Sequence, residues 1–145
     1  ENNTVYVGAY SGTFYAVDAT EGEQKWVFKA GTSVMSSPVI YNERVFITSV
    51  DGTLFALDEK SGDLKWKYNS GNTISHSPVV ANNLVYISSG NRVYAVNAVS
   101  GSLQWSHSLK SRVKTVPTVS GNDVFVGCEN GEIVSLRSSL KEIVD

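Results

Sequence analysis

The chain consists of short apolar runs, rich in β-branched and aromatic residues, that are separated by turn residues. The first run, Thr4 to Tyr10, is followed by a Ser11-Gly12 turn and a second run, Thr13 to Asp18, which is the pattern of a β-hairpin. Gln24 to Lys29 and Pro38 to Tyr41 predict two more strands. No window keeps the helical apolar period of about 3.6 residues, so the pattern predicts an all-β chain.

This unit recurs along the chain. A template of Ala, then Asp or Asn two positions on, Gly six on and Trp ten on begins at Ala16, Ala56 and Ala95. Its tryptophans, Trp26, Trp66 and Trp105, are 40 and 39 positions apart, and the prolines Pro38, Pro78 and Pro117 have the same spacing. A fixed period of this length indicates stacked repeats or a propeller.

Each unit of about 40 residues contains four short strands, which is the blade of a β-propeller. We therefore predict one all-β domain, residues 1–145, with repeats near 4–42, 43–83, 84–122 and 123–145. About three and a half blades are present, with three strands in the first and last and four in each of the others. The second strand of each blade is apolar on both faces, as expected of a sheet packed between two others. These strands are Val5-Tyr6-Val7, Val45-Phe46-Ile47, Val85-Tyr86-Ile87 and Val124-Phe125-Val126.

The repeated residues suit structural roles. Gly22, Gly62 and Gly101 fit a turn position that needs a positive φ. The acidic or amide residue before each glycine can accept hydrogen bonds from backbone N–H groups of that turn. Each tryptophan offers a large apolar surface and one N–H donor, which suits it to locking adjacent blades together. The fourth repeat departs from the template, with Arg137, Lys141 and Asp145 in place of Asp, Gly and Trp.

Composition narrows the possible partners. With 12 Lys+Arg against 14 Asp+Glu and a net charge of −2, the chain has no basic field for a phosphate backbone, so we expect no nucleic-acid partner. No apolar run approaches the roughly 20 residues of a membrane span. The single cysteine, Cys128, follows a strand-like run and is predicted to be a small buried apolar residue.

The repeated motif Ala-x-Asp-x-x-x-Gly-x-x-x-Trp resembles the tryptophan-docking motif of the quinoprotein, or pyrroloquinoline quinone (PQQ), repeat propellers. The resemblance covers about residues 4 to 136, with Glu21, Ser61 and Ser100 where the family usually has Thr. This superfamily includes quinoprotein dehydrogenases, the periplasmic lipoprotein of the outer-membrane β-barrel assembly machine, and non-catalytic sensor or scaffold domains. The dehydrogenases imply a vicinal cysteine pair, a calcium site and a catalytic aspartate, and one cysteine cannot supply the first of these. We therefore expect no catalytic, cofactor-binding or metal-binding residue and no cofactor.

The segments that enter the first strand of each blade are the expected site of recognition, because they should face the central funnel and they differ between blades. They are residues 32–37, 72–77 and 111–116. Ser36, His76 and Thr115 occupy one equivalent position, and the third segment carries Arg112 and Lys114. His76, Arg112 and Lys114 are the candidate partner-binding residues, and the two cations predict an acidic partner.

The phase of the repeats predicts a larger ring. Residues 1–3 align with the turn after a first strand, so neither end supplies the strand that the other lacks, and apolar blade faces would stay uncovered. We expect missing blades or a second chain to complete a propeller of about seven or eight blades. The predicted function is a non-enzymatic scaffold that binds a protein or peptide, in the periplasm or outside the cell. The alternatives are a fragment of a PQQ-dependent dehydrogenase and the ligand-sensing domain of a receptor.

Overall fold

The computed structural model describes residues 3–137, which form strands joined by turns and extended connections. The strands are β1 (Thr4–Gly8), β2 (Thr13–Asp18), β3 (Gln24–Lys29), β4 (Val39–Tyr41), β5 (Arg44–Thr48), β6 (Thr53–Asp58), β7 (Leu64–Asn69), β8 (Val79–Ala81), β9 (Leu84–Ser89), β10 (Arg92–Asn97), β11 (Leu103–Ser108), β12 (Thr118–Ser120), β13 (Asp123–Gly127) and β14 (Ile133–Arg137). The predicted all-β class is confirmed.

The strands form four antiparallel sheets, in each of which strands consecutive in sequence are neighbours in space. Sheet 1 contains β1 to β3, sheet 2 contains β4 to β7, sheet 3 contains β8 to β11 and sheet 4 contains β12 to β14. The predicted distribution of strands, with three in the outer sheets and four in the inner two, is therefore confirmed for residues 3–137. The altered end of the last repeat, with Lys141 and Asp145, and the first two residues lie outside the described part of the chain.

The turn that joins the last two strands of a four-stranded sheet has the structure that its residues predict. In sheet 2 the carboxylate of Asp58 accepts from the backbone N–H groups of Lys60 and Ser61, both at 3.0 Å. Gly62 follows at a φ of 76°, in the left-handed region that glycine enters without a Cβ clash. The equivalent turns, at Asp18 and Asn97, make the same pair of hydrogen bonds.

Apolar side chains fill the space between successive sheets, in three separate clusters. Phe14 and Trp26 of sheet 1 pack against Val45 and Ile47 of sheet 2. The other face of sheet 2 packs against sheet 3, and the other face of sheet 3 packs against sheet 4. Both faces of β5 and β9 are thereby buried, which is why their sequences do not alternate between apolar and polar residues.

Two tryptophans form hydrogen bonds from one sheet to the next. Trp26 Nε1 donates to the carbonyl oxygen of Glu59 at 3.0 Å, and Trp66 Nε1 donates to that of Ala98 at 3.2 Å. The Trp26 ring lies so close to Gly62 that a Cβ there would be 2.6 Å from two ring carbons. The predicted locking role is confirmed at these two positions. Trp105 is buried as well, and its Nε1 has no partner among residues 3–137.

The outer sheets have a covered face and an open one. Val5 and Val7 of β1 are each 48% exposed, whereas Val45 and Ile47 at the equivalent positions of β5 are fully buried. Ile133 of β14 is also exposed. Both faces are therefore buried in β5 and β9 of the inner sheets, whereas β1 has one open apolar face.

Candidate functional site

The connections that enter the first strands share one buried anchor. Val34, Ile74 and Val113 occupy equivalent positions, and each side chain is almost completely buried. Val34 and Val113 also form isolated β-bridges, to Ser49 and Cys128. Because alternate residues of an extended segment point to opposite sides, the residues on either side of each anchor face away from the core. These flanking positions are free to vary, and they do.

Arg112 and Lys114 flank the Val113 anchor on a backbone that is held in place by main-chain hydrogen bonds. Val113 N–H donates to the Gly90 carbonyl at 3.0 Å, and Lys114 N–H donates to the Gly127 carbonyl at 2.8 Å. The Arg112 carbonyl accepts from Glu129 N–H at 2.8 Å. Both side chains are exposed. The sheet framework therefore presents two cations on a fixed segment.

His76 is an exception to a repeated hydrogen bond. At the equivalent positions, Ser36 Oγ accepts from the Thr48 N–H at 3.0 Å and Thr115 Oγ1 accepts from the Gly127 N–H at 2.9 Å. In two of the three connections a hydroxyl thus bonds to the end of the second strand of the blade. In the remaining connection the imidazole of His76 occupies the equivalent position. Departures from a local structural rule are expected where function has taken priority over stability.

The main chain at His76 is nevertheless anchored. Its carbonyl accepts from Thr48 Oγ1 of sheet 2 at 3.2 Å. Its Nδ1 lies 3.5 Å from the Oγ of Ser88, a side chain that is almost fully buried. This separation is longer than the roughly 2.6–3.2 Å of an activated nucleophile and its base. The half-buried ring therefore keeps polar capacity for a ligand.

The structure brings His76, Arg112 and Lys114 together around one cavity of about 370 Å³. The sequence identifies these three residues, but it does not show that two separate connections meet. Further polar residues complete the lining: Asn72, Thr73 and Ser75 belong to the predicted segment 72–77, whereas Ser88 lies outside the predicted segments. Ser88 could have been found by aligning the repeats. It occupies the strand position of Thr48 and Gly127, whose N–H groups bond to the residues equivalent to His76.

The electrostatics of this cavity favour an anion. The described residues of its lining include no carboxylate, while the chain as a whole has a net charge of −2. Lys114 Nζ lies 3.3 Å from a carboxylate oxygen of Glu129, in a pair of which both side chains are more than half exposed. Such an exposed pair is weak and can exchange for a ligand. Serine, threonine and asparagine groups add neutral donors beside the cations.

Three other features of the described residues bear on function. Within residues 3–137, no three His, Cys, Asp or Glu side chains are grouped so that they could hold a metal ion. The same residues contain no helix of the length and apolar character that crosses a membrane. Cys128 is buried, as the sequence predicts, and burial raises the pKa of its thiol above the ordinary value.

Comparison with known proteins gives a family match and several structural matches. The family model described as outer membrane protein assembly factor BamB matches residues 1–75 and again residues 70–139. No curated protein sequence matches the chain. Solved structures with the same fold include BamB from Moraxella catarrhalis, with a TM-score of 0.85 and 20% identity. That alignment covers 97% of this chain and 48% of BamB, so the chain spans about half of the length of that protein.

Two other structural matches differ in kind. The computationally designed Ika4 protein has a TM-score of 0.84 and 18% identity, over 94% of this chain and 86% of the design. The quinohemoprotein alcohol dehydrogenase ADHIIG from Pseudomonas putida HK5 has a TM-score of 0.83 and 18% identity, over 100% of this chain and 32% of the enzyme. At these identities the matches show the fold, a β-propeller of the PQQ-repeat type, and it is shared by proteins with different functions.

Proposed function

Because the chain belongs to the PQQ-repeat family described as outer membrane protein assembly factor BamB, we propose that it is a non-catalytic propeller scaffold that binds a protein or peptide. The binding site is the cavity that contains His76, Arg112 and Lys114. The observation that carries this proposal is the replacement, at His76 alone, of the hydroxyl that two other connections use for an internal hydrogen bond. The scaffold forms part of a larger propeller.

The cavity suits an acidic peptide segment rather than a reaction. Its cations stand on backbone that main-chain hydrogen bonds hold in place, so little ordering is needed when a carboxylate binds. Ser88 and His76 are separated by 3.5 Å, and among the lining residues that the structure describes no carboxylate orients the imidazole. The neutral hydroxyl and amide groups of the lining can accept from or donate to a peptide backbone.

The family description also suggests a place of action. The description of the family model names a factor for outer membrane protein assembly. We therefore propose a periplasmic or extracellular location for this chain and a protein partner there. Fractionation of cells that produce the intact natural gene product tests this: recovery with the cytosol contradicts it.

Binding of a peptide tests the site. The probe is a fluorescein-labelled peptide, rich in Glu and Asp and long enough to span the cavity, with a Lys-rich peptide of equal length as the charge-reversed control. Replacing Arg112 and Lys114 together by Ser should weaken binding of the acidic peptide by at least about tenfold, since each charge-assisted hydrogen bond contributes about 1.5–3 kcal/mol. Fluorescence anisotropy at low and moderate salt measures the change.

A matched control has the same loss of charge at another place. Lys29 and Lys67 are exposed on the outer strands β3 and β7, and their joint replacement by Ser also removes two positive charges. This variant should bind the acidic peptide as the unaltered chain does. Equal affinities for the cavity variant and the unaltered chain would remove the site from the proposal. Equal losses in both variants would mean that net charge, and not the cavity, attracts the peptide.

A second function is favoured by the structural match to the alcohol dehydrogenase, which extends over 100% of this chain. In that case the chain would be a segment of a quinone-dependent dehydrogenase whose cofactor site lies in other blades. This chain does not itself supply the family's vicinal cysteine pair, because Cys128 is its single cysteine. Dye reduction by a longer natural product, on addition of PQQ and calcium, would favour this second function.

A further inference from the structure

The cavity around His76, Arg112 and Lys114, here called the cationic cavity, has a neighbour that the same parts of the repeat form one sheet earlier. This neighbour has a volume of about 130 Å³ and lies between the connections that enter sheets 2 and 3, beside the β5–β6 hairpin. It is lined by Met35, Ser36, Thr48, Val50, Ile74 and Ser75. One repeat later their counterparts all line the cationic cavity, and in the same order they are Ser75, His76, Ser88, Gly90, Val113 and Lys114. The chain thus forms the same concavity twice.

The two cavities differ in chemistry at these equivalent positions. Met35 and Val50 stand in the second lining where the cationic cavity has Ser75 and Gly90. The described residues of the second lining carry no charge, so we call it the apolar cavity. Met35 is 60% exposed although its side chain is apolar. Methionine is unbranched and polarizable, so this exposed side chain can adapt its shape to an apolar ligand.

Two hydroxyl groups of the apolar cavity already have partners inside the chain. Ser36 Oγ accepts from the Thr48 N–H at 3.0 Å and donates to the Thr48 carbonyl at 3.2 Å. Thr48 Oγ1 donates to the His76 carbonyl at 3.2 Å. A ligand therefore gains chiefly by covering the apolar atoms of Met35 and Val50. A cavity of about 150 Å³ can hold a benzene molecule, so the apolar cavity has room for one aliphatic side chain.

The two cavities adjoin, because Ser75 lines both of them. They are one sheet apart, and sheets that pack face to face are separated by about 10 Å. An extended peptide advances about 3.1–3.4 Å per residue. Two side chains of one extended peptide can therefore occupy both cavities when they are about three residues apart.

We propose that the apolar cavity binds an aliphatic side chain of the same acidic peptide, about three residues from the carboxylate that Arg112 and Lys114 bind. The charge of these two cations is the reason for assigning the adjoining apolar site to an acidic partner. The recognised segment thus combines one leucine-like residue with an acidic residue. This inference rests on the proposed peptide-binding function and adds an apolar requirement to it.

Fluorescein-labelled peptides of one length and one net charge test the requirement. A Leu lies three residues before a Glu-Asp pair in one peptide and three residues after the pair in another, and a third peptide has Ser in place of Leu. In one of the two directions the Leu peptide should bind at least about tenfold more tightly than the Ser peptide, because burial of an aliphatic side chain contributes that much to affinity. Fluorescence anisotropy measures the three affinities.

A double variant locates the gain. Met35→Gln with Val50→Thr replaces apolar by polar atoms in side chains of similar shape, and neither residue is fully buried, so the urea midpoint should stay unchanged. This variant should lose most of the preference for Leu and bind the Ser peptide as the unaltered chain does. The matched control is Leu103→Gln with Val99→Thr, because both side chains are exposed and neither lines either cavity. It should keep the full preference.

The outcomes separate this inference from the function on which it rests. Replacing Arg112 and Lys114 together by Ser should weaken binding of the Leu and Ser peptides alike. If it does so, but Leu gives no gain in either direction or the gain survives in the Met35 and Val50 variant, the apolar requirement is overturned and the acidic-peptide site stands. If neither peptide responds to the loss of the two cations, the proposed function fails, and this inference fails with it.

Discussion

Within residues 3–137, sheets 2 and 3 each lie between two neighbours, whereas sheet 1 has a neighbour on one side only. The strands concerned are nearly the same in sequence, with Val-Tyr-Val in β1, Val-Phe-Ile in β5 and Val-Tyr-Ile in β9. Their burial nevertheless differs, from none of the side chain exposed at Val45 and Val85 to about half at Val5. Burial is thus set by what the neighbouring sheet supplies.

The turns behave differently from the strands in this comparison. The turn at Asp18 in the open sheet has the same hydrogen bonds and the same positive φ at its glycine as the turn at Asp58 in a covered sheet. Local sequence is enough to form the turn. Substitutions can therefore separate effects that arise from the interface between sheets from effects that arise within one sheet.

The largest difference is expected at the turn glycines. Gly101→Ala introduces a Cβ 2.6 Å from the Trp66 ring, in addition to the strain of a non-glycine residue at positive φ. Strain of about 1 kcal/mol and overpacking of about 1–3 kcal/mol should lower the free energy of unfolding by about 2–4 kcal/mol. Gly22→Ala has the strain alone and should cost about 1 kcal/mol. Equal urea midpoints for the two variants would contradict the docking of Trp66 on Gly101.

The next difference is expected at the first valine of the second strands. Val45→Ala removes two methyl groups from a fully buried site and should cost about 2–3 kcal/mol, including the cavity left behind. Val5→Ala makes the same chemical change at the equivalent, half-exposed site and should cost less than about 1 kcal/mol. Urea denaturation of both variants measures the pair. A loss at Val5 as large as that at Val45 would mean that the face of sheet 1 is covered in solution.

The difference between sheets also explains how much of the fold could be predicted from the sequence. Strands, turns and docked tryptophans follow from local residues repeated at a fixed spacing, so the repeat alone was enough to assign roles to Gly62 and Trp26. The exposure of Val5 could not be derived from its own strand, because it depends on a neighbouring sheet. Repetition predicts contacts between equivalent surfaces, but it does not show how far each side chain of an outer sheet is exposed.

The sequence predicted which residues belong to the candidate site, but not that they lie close together. Variation among equivalent loop positions identified His76, Arg112 and Lys114, but their meeting around one cavity depends on how two connections approach each other. The ion pair between Lys114 and Glu129 also depends on how two separate segments approach each other, because Glu129 lies in the hairpin turn between β13 and β14. Unlike the turn glycines, these residues have no repeated spacing from which a contact could be inferred.

The smallest expected effect concerns turn charge, and it should be present in both the open and the covered sheets. The N–H of Ser61, the ammonium of Lys65 and the N–H of Lys60 together lower the pKa of Asp58 to about 2. The pKa of Asp18 is lowered as well, by the N–H groups of Glu21 and Thr20 and by Lys25. A lowered folded-state pKa adds stability above the unfolded pKa of about 3.9, and this stability is lost as the pH falls towards the folded value.

Asp58→Asn and Asp18→Asn should therefore each flatten the dependence of the unfolding midpoint on pH below about 4, with the larger effect at Asp58. Both variants should still form the turn, because Asn97 accepts the same two backbone N–H bonds with an amide oxygen. Urea midpoints at a series of pH values measure the slopes, with Glu23→Gln, an exposed carboxylate next to the Asp18 turn, as the control for charge alone. If only Asp58→Asn changed the slope, the contribution of the turn would depend on the neighbouring sheet. That result would contradict the conclusion that local sequence alone determines the turns, whereas neighbouring sheets determine the burial of the faces.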